Sequence, residues 1–274
     1  MVAALLITLR EGLEAALIVG IVLGVLRRLG HTDRSRTVWA GVLAAIVVSL
    51  AVGALNALGV ALKERSEAIF EGVAMLLAAG VLTWMIFWMQ CQGRRVQAQL
   101  ESDVREAVAA GSAWALFTLA FVAVGREGIE TALFLTAAAF RATPAQTLLG
   151  GALGLAVAVA LGWLMFAAGK RLNMRAFFRV TGILLLLFAA GLVAQGVHEF
   201  QEAALLPTLV EPLWDVNPVL DERSTVGEFL KALLGYNGNP SLLEVIAYTV
   251  YFVVVGFFSL RRAPTAVRFA QPGA

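Results

Sequence analysis

Residues 10–14 read Arg-Glu-Gly-Leu-Glu, and residues 126–130 read Arg-Glu-Gly-Ile-Glu. Each pentapeptide lies inside an apolar run long enough to cross a bilayer, roughly 14–20 Å from a run end at about 1.5 Å per residue. One ionised side chain at that depth costs about 2.5–3.5 kcal/mol even on the lenient insertion scale. The rest of the chain fits that setting: of 274 residues, 60% are hydrophobic and only 15% charged, and mean hydropathy is +0.83. A water-facing surface takes roughly 25–35% charge, so the fold class is an all-α, multi-pass membrane protein. Soluble enzymes and nucleic-acid binders are excluded. The single Cys91 excludes a disulfide framework and an iron–sulfur cluster, and His31 and His198 alone make no haem or multi-histidine centre.

Outward from the motifs, apolar runs bounded by charge predict seven transmembrane helices, at about 2–26, 38–62, 68–91, 113–140, 146–169, 177–197 and 243–260. Arg10, Glu11 and Glu14 interrupt the first run, so it is not expected to be a cleaved leader. With the N-terminus outside, 14 of the 21 Arg and Lys residues fall in cytoplasmic segments and 5 in outer ones. That bias predicts an N-out, C-in protein of the cytoplasmic (inner or plasma) membrane. Residues 92–112 read as an amphipathic cytoplasmic helix of mixed charge that links the repeats, and 198–242 as an acidic extracytoplasmic loop of turns and short helices.

The motif recurs at the same place in two successive sets of three helices. Three is odd, so the second set runs with opposite topology, the pattern of inverted-repeat transporters whose substrate site lies near the midplane. The expected organisation is a first repeat at 1–91, the linker at 92–112, a second repeat at 113–197, the outer loop at 198–242, and a seventh helix and tail at 243–274.

Within each motif the acids are three residues apart, so Glu11 and Glu14 share a helical face, as do Glu127 and Glu130. Arg10 reaches Glu14, and Arg126 reaches Glu130, one turn along. Gly12 and Gly128 remove side chains between the acids, which lets a helix or an ion approach. If the two motif helices meet, four carboxylates surround one site, a donor set suited to hard cations and lacking the His or Cys that zinc or Cu(I) would take. Arg–Glu pairs that only bind helices together would not require the second acid in both motifs. A di-iron enzyme would need Glu-x-x-His pairs, and the runs hold Glu-x-x-Glu.

The paired motifs in spans one and four of a seven-helix chain resemble the oxidase-dependent iron permeases, the fungal high-affinity and bacterial Efe-type proteins, the bacterial ones most. The resemblance extends through Phe70-Glu71-Gly72, the run Leu82-Thr83-Trp84-Met85-Ile86-Phe87-Trp88-Met89, and the Gly191…His198-Glu199…Gln201-Glu202-Ala203 region. It implies that Glu11, Glu14, Glu127 and Glu130 take part in iron passage with Arg10, Arg126, Gly12 and Gly128 as motif partners. It also implies iron as substrate with no resident cofactor, and an extracytoplasmic partner that binds or oxidises the iron. Fe(III), derived from oxidised Fe(II), is the expected cargo, with a hard divalent ion such as Mn(II) as the alternative. Such a chain is a transporter and not an enzyme, embedded in lipid and compatible with homo-oligomers. The acidic cytoplasmic tail of the fungal members has no counterpart after Arg262.

Toward the outside, Glu64, Glu67 and Glu71 share a face at the start of span three, and His198 stands one turn from Glu202. Both groups are candidates for the first contact with an incoming cation. Met85 and Met89, with Trp84 and Trp88, form a soft stripe near the inner end of span three that reads as packing. Cys91 and His31 lack ligand partners and receive no role.

Overall fold

The computed structural model describes residues 1–61, 67–140, 142–166, 173–222 and 224–261. They form a bundle of α1 (Val2–Arg28), α2 (Ser35–Ala61), α3 (Glu67–Ala109), α4 (Ala113–Ala139), α5 (Pro144–Phe166), α6 (Met174–Glu202), α7 (Thr225–Leu234) and α8 (Leu242–Arg261), with one 3-10 turn at Thr32–Arg34. Five of these helices are long and apolar enough to cross a membrane, including Pro144–Phe166 and Leu242–Ser259. The motif helices α1 and α4 are each 27 residues long, and three mid-helix charges set them apart from those five.

Local chemistry sets the boundaries. Ser112 Oγ accepts from Ala115 N to start α4, and Asn173 Oδ1 accepts from Ala176 N to start α6. Pro144 opens α5, where its missing N–H has no intrahelical partner to lose. Gly235 closes α7 with a left-handed φ of 73°.

The segment expected as a separate linker helix is instead the continuation of α3, a 43-residue helix running unbroken from Glu67 to Ala109. Leu100, Val104 and Ala107 recur at helical spacing and are buried against α1, α2 and α4, while Arg34 Nη1 donates to the Val108 carbonyl at 3.3 Å. Polar residues therefore end the apolar run without ending the helix. Likewise α6 runs on through His198 to Glu202, into what reads as loop from sequence.

Helix pairing crosses between the two halves of the chain: α1 packs on α5, α2 on α4, and α3 on α6, while α1 and α4 also meet. Lipid tails are as apolar as leucine, so close packing rather than water exclusion holds such helices together. Gly72 and Gly196 show the device: a Cβ built on either would stand 3.1 Å from the other's carbonyl oxygen. Outward faces carry large apolar side chains such as Leu50, Leu148 and Val253, as a lipid-facing bundle requires.

Two apolar clusters fill the interior. One joins Ile7, Met75, Leu82, Phe134, Phe188 and Leu192 toward the end where α1 begins. The other joins Val22, Leu26, Val42, Val104, Leu116 and Val124 toward the opposite end. The two charged motifs lie in the layer between them.

Candidate ion site

Helix geometry stacks the motif side chains as their spacing requires. Arg10 Nη1 donates to Glu11 Oε1 at 2.9 Å, and Arg10 Nη2 lies 3.0 Å from Glu14 Oε1. On α4, Arg126 Nε donates to Glu130 Oε1 at 2.9 Å and stands 3.7 Å from Glu127 Oε1. The motif glycines let neighbouring helices in. A Cβ on Gly12 would lie 2.9 Å from Ala158 Cβ of α5, and one on Gly128 would overlap Ser49 of α2. Both glycines therefore face a helix rather than the space between the acids.

Glu11, Glu14 and Glu127 each present a carboxylate oxygen, and these lie within 4.8 Å of one another, all three residues buried. Among the described residues this is the one such trio of His, Cys, Asp or Glu. Glu130 stands outside it, drawn to Arg126. Three of the four glutamates nevertheless keep one buried oxygen without a donor, Glu11 Oε2, Glu127 Oε2 and Glu130 Oε2, while Glu14 Oε1 has only its ion pair to Arg10. Buried polar atoms are normally satisfied, so three orphaned oxygens in one layer mark a place for a positive charge. Two ionised carboxylates 4.8 Å apart repel by about 3.5 kcal/mol at an effective dielectric of about 20, and two arginines do not cancel four acids. Protons or a multiply charged cation must supply the rest.

The two pentapeptides, alike in every charged residue, are not equivalent in space. The Arg10 side chain is 3% exposed, against 40% for Arg126. Their neighbours on α3 differ as well: Arg10 Nη1 lies 3.6 Å from Met85 Sδ, and the Arg126 guanidinium sits 4.6 Å from the ring centroid of Trp88.

The outer-mouth candidates separate. Glu64, and the side chain of Glu67, fall outside the described residues, as does the side chain of Cys91. Glu71 is half-buried, next to the Gly72 that packs on Gly196 and Phe200 of α6. His198 has both ring nitrogens engaged, Nδ1 at 3.1 Å from Glu244 Oε1 and Nε2 at 3.4 Å from Glu202 Oε1. Sequence reasoning missed Glu244, which also accepts from Asn237 Nδ2 at 2.8 Å and from Ser241 N at 3.2 Å. The signal was there: Ser241-Leu242-Leu243-Glu244 is a capping box, with Glu244 N donating back to Ser241 Oγ. The loop residues Asp221, Glu222 and Glu228 line a cavity of about 1010 Å³ together with Met1, Val2 and Gln146. A separate gap of about 10 Å³, bounded by Ala3, Ala4, Ala138, Thr147 and Phe188, has room for about one water.

Comparison with known proteins places the chain. Residues 1–263 match the family described as Iron permease FTR1. A ferrous iron permease EfeU of Shigella sonnei (strain Ss046) is 38% identical, across 97% of this chain and 94% of its own length. One from Yersinia pestis is 35% identical across 90% of this chain and 89% of its own. An Escherichia coli (strain K12) relative, 38% identical across 97% of this chain and 94% of its own, carries an EfeU permease name that includes the word inactive. Overall similarity thus does not by itself carry activity. No solved structure matches.

Proposed function

The chain belongs to the Iron permease FTR1 family of membrane transporters, and on that premise we propose that it imports iron through the carboxylate layer between the two apolar clusters. The observation that carries this reading is the trio of buried carboxylates, Glu11, Glu14 and Glu127, gathered within 4.8 Å, with buried oxygens of Glu11, Glu127 and Glu130 left without donors. Glu11, Glu14 and Glu127 receive the cation, exchanging its water for carboxylate oxygens. Glu130, held by Arg126, takes it next toward the more exposed side. Fe(III) derived from oxidised Fe(II) is the cargo we favour, because an all-oxygen anionic set suits the harder ion; the relatives' names specify ferrous iron.

The same reading puts seven helices across the cytoplasmic membrane, N-out and C-in, α1–α3 and α4–α6 being repeats of opposite topology. The crossed pairing of α1 with α5 and α2 with α4 supports it. The outer cavity lined by Asp221, Glu222 and Glu228 concentrates cations delivered by an extracytoplasmic iron-binding or iron-oxidising partner, with Glu71 and Glu202 as further candidates for first contact and His198 fastening α6 to α8. Uptake by Glu11→Gln, Glu14→Gln, Glu127→Gln and Glu130→Gln variants tests the site: each should impair iron entry strongly while still inserting in the membrane. Normal uptake by all four would remove the mechanism.

A further inference from the structure

Met85 and Trp88 are three residues apart on α3, and each touches the arginine of a different motif. Met85 is fully buried, and its sulfur accepts from an Arg10 already committed to two carboxylates. That arginine is enclosed. Trp88 receives the other one, Arg126, which is 40% exposed and ion-paired to Glu130.

Trp84 and Trp88 stack at 6.3 Å, yet their settings differ. Trp84 is 64% exposed and faces outward, as a membrane-belt tryptophan does. Trp88 is half-buried and turned to the guanidinium. A gap-filling side chain need not put its π-face under a cation. A cation binding Glu127 and Glu130 must displace Arg126 from the same oxygens and then repel it. The ring offers the guanidinium a resting place that carries no negative charge to compete for the ion.

We propose that Trp88 is a positioning residue that draws Arg126 off Glu127 and Glu130 when the cation arrives, making Arg126 the movable arginine and Arg10 the fixed one. The proposal rests on the carboxylate site being the path of iron.

Replacing Trp88 with fluorinated tryptophans, through an amber codon at position 88, weakens the π-face in steps while nearly preserving size. Arg126 then stays on its glutamates and competes with iron. In proteoliposomes, half-saturation for iron should rise stepwise with fluorination, reaching about two- to thirtyfold, with the maximal rate falling less. That range is a part-exposed cation–π contact of about 0.5–2 kcal/mol converted at about 1.4 kcal/mol per decade. Trp88→Phe should fall between, and in an Arg126→Gln background it should have no further effect on half-saturation, because the residues act as one unit. A flat fluorination series, or Trp88→Phe and Arg126→Gln effects that add, overturns the proposal. Glu14→Gln and Glu127→Gln in the same assay keep the two ideas apart. If they lose uptake while the series is flat, only the role of Trp88 fails; if they transport normally, the path itself fails.

Discussion

Glu11→Gln separates an ion site from charge pairs that only bind helices together. With the carboxylates ionised, Glu11 has two like-charged neighbours, Glu14 and Glu127, with oxygens within 4.8 Å. Each repulsion is about 3.5 kcal/mol at an effective dielectric of about 20, so the amide relieves about 7 kcal/mol. It also gives up the ion pair to Arg10 at 2.9 Å, about 6 kcal/mol on the same footing. The balance is close to zero and leans about 1 kcal/mol toward the variant, and Arg10 still keeps Glu14 at 3.0 Å. Melting followed by circular dichroism in detergent should therefore show no loss, or a gain of about 2–4 °C, while iron uptake collapses. Stability kept and transport lost is the mark of acids held together for a ligand. A melting temperature lower by 5 °C or more with uptake retained would refute the reasoning and leave Glu11 as structural glue.

Three further outcomes follow from the geometry. Arg10→Gln leaves buried acids uncompensated and should cost about 3–5 kcal/mol, read as a large drop in the melting temperature of the detergent-solubilised protein. Gly128→Ala drives a methyl into Ser49 and should cost about 1–3 kcal/mol, largely recovered in the double variant with Ser49→Gly; a harmless single substitution would show that α2 is not held there. In a Cys91→Ser background, Val219→Cys, 88% exposed in wild type, should react with an impermeant thiol reagent added outside and Gln97→Cys should not, the reverse pattern overturning the orientation.

Much of the candidate site's geometry could be read from two pentapeptides, because burying charge in lipid leaves few alternatives and helical spacing fixes which acids share a face. What the pentapeptides could not tell apart was each other. Arg10 and Arg126 head the same pattern of charges, and they differ in what α3 places beside them, a thioether in one case and an indole in the other. Glu130 leaves the trio for a similar reason, since an arginine with room to turn takes it. The length of α3 escaped because hydropathy reports where lipid ends, whereas Gln, Arg, Glu and Ala past Gln92 sustain a helix in water equally well. Glu244 lay 46 residues from His198, a separation that no periodicity bridges, although its own capping box stood in plain sequence.

The central claim is that iron crosses through these carboxylates, and radio-iron uptake into proteoliposomes of the purified chain tests it most directly. With the outer medium held oxidising or reducing, and Mn(II) and Zn(II) as competitors, the wild type should show saturable iron uptake, highest with Fe(III) and little reduced by either competitor. The Glu11→Gln, Glu14→Gln, Glu127→Gln, Glu130→Gln quadruple variant should show none above empty vesicles. Equal uptake of Mn(II), or iron entry that survives the quadruple substitution, would contradict the account.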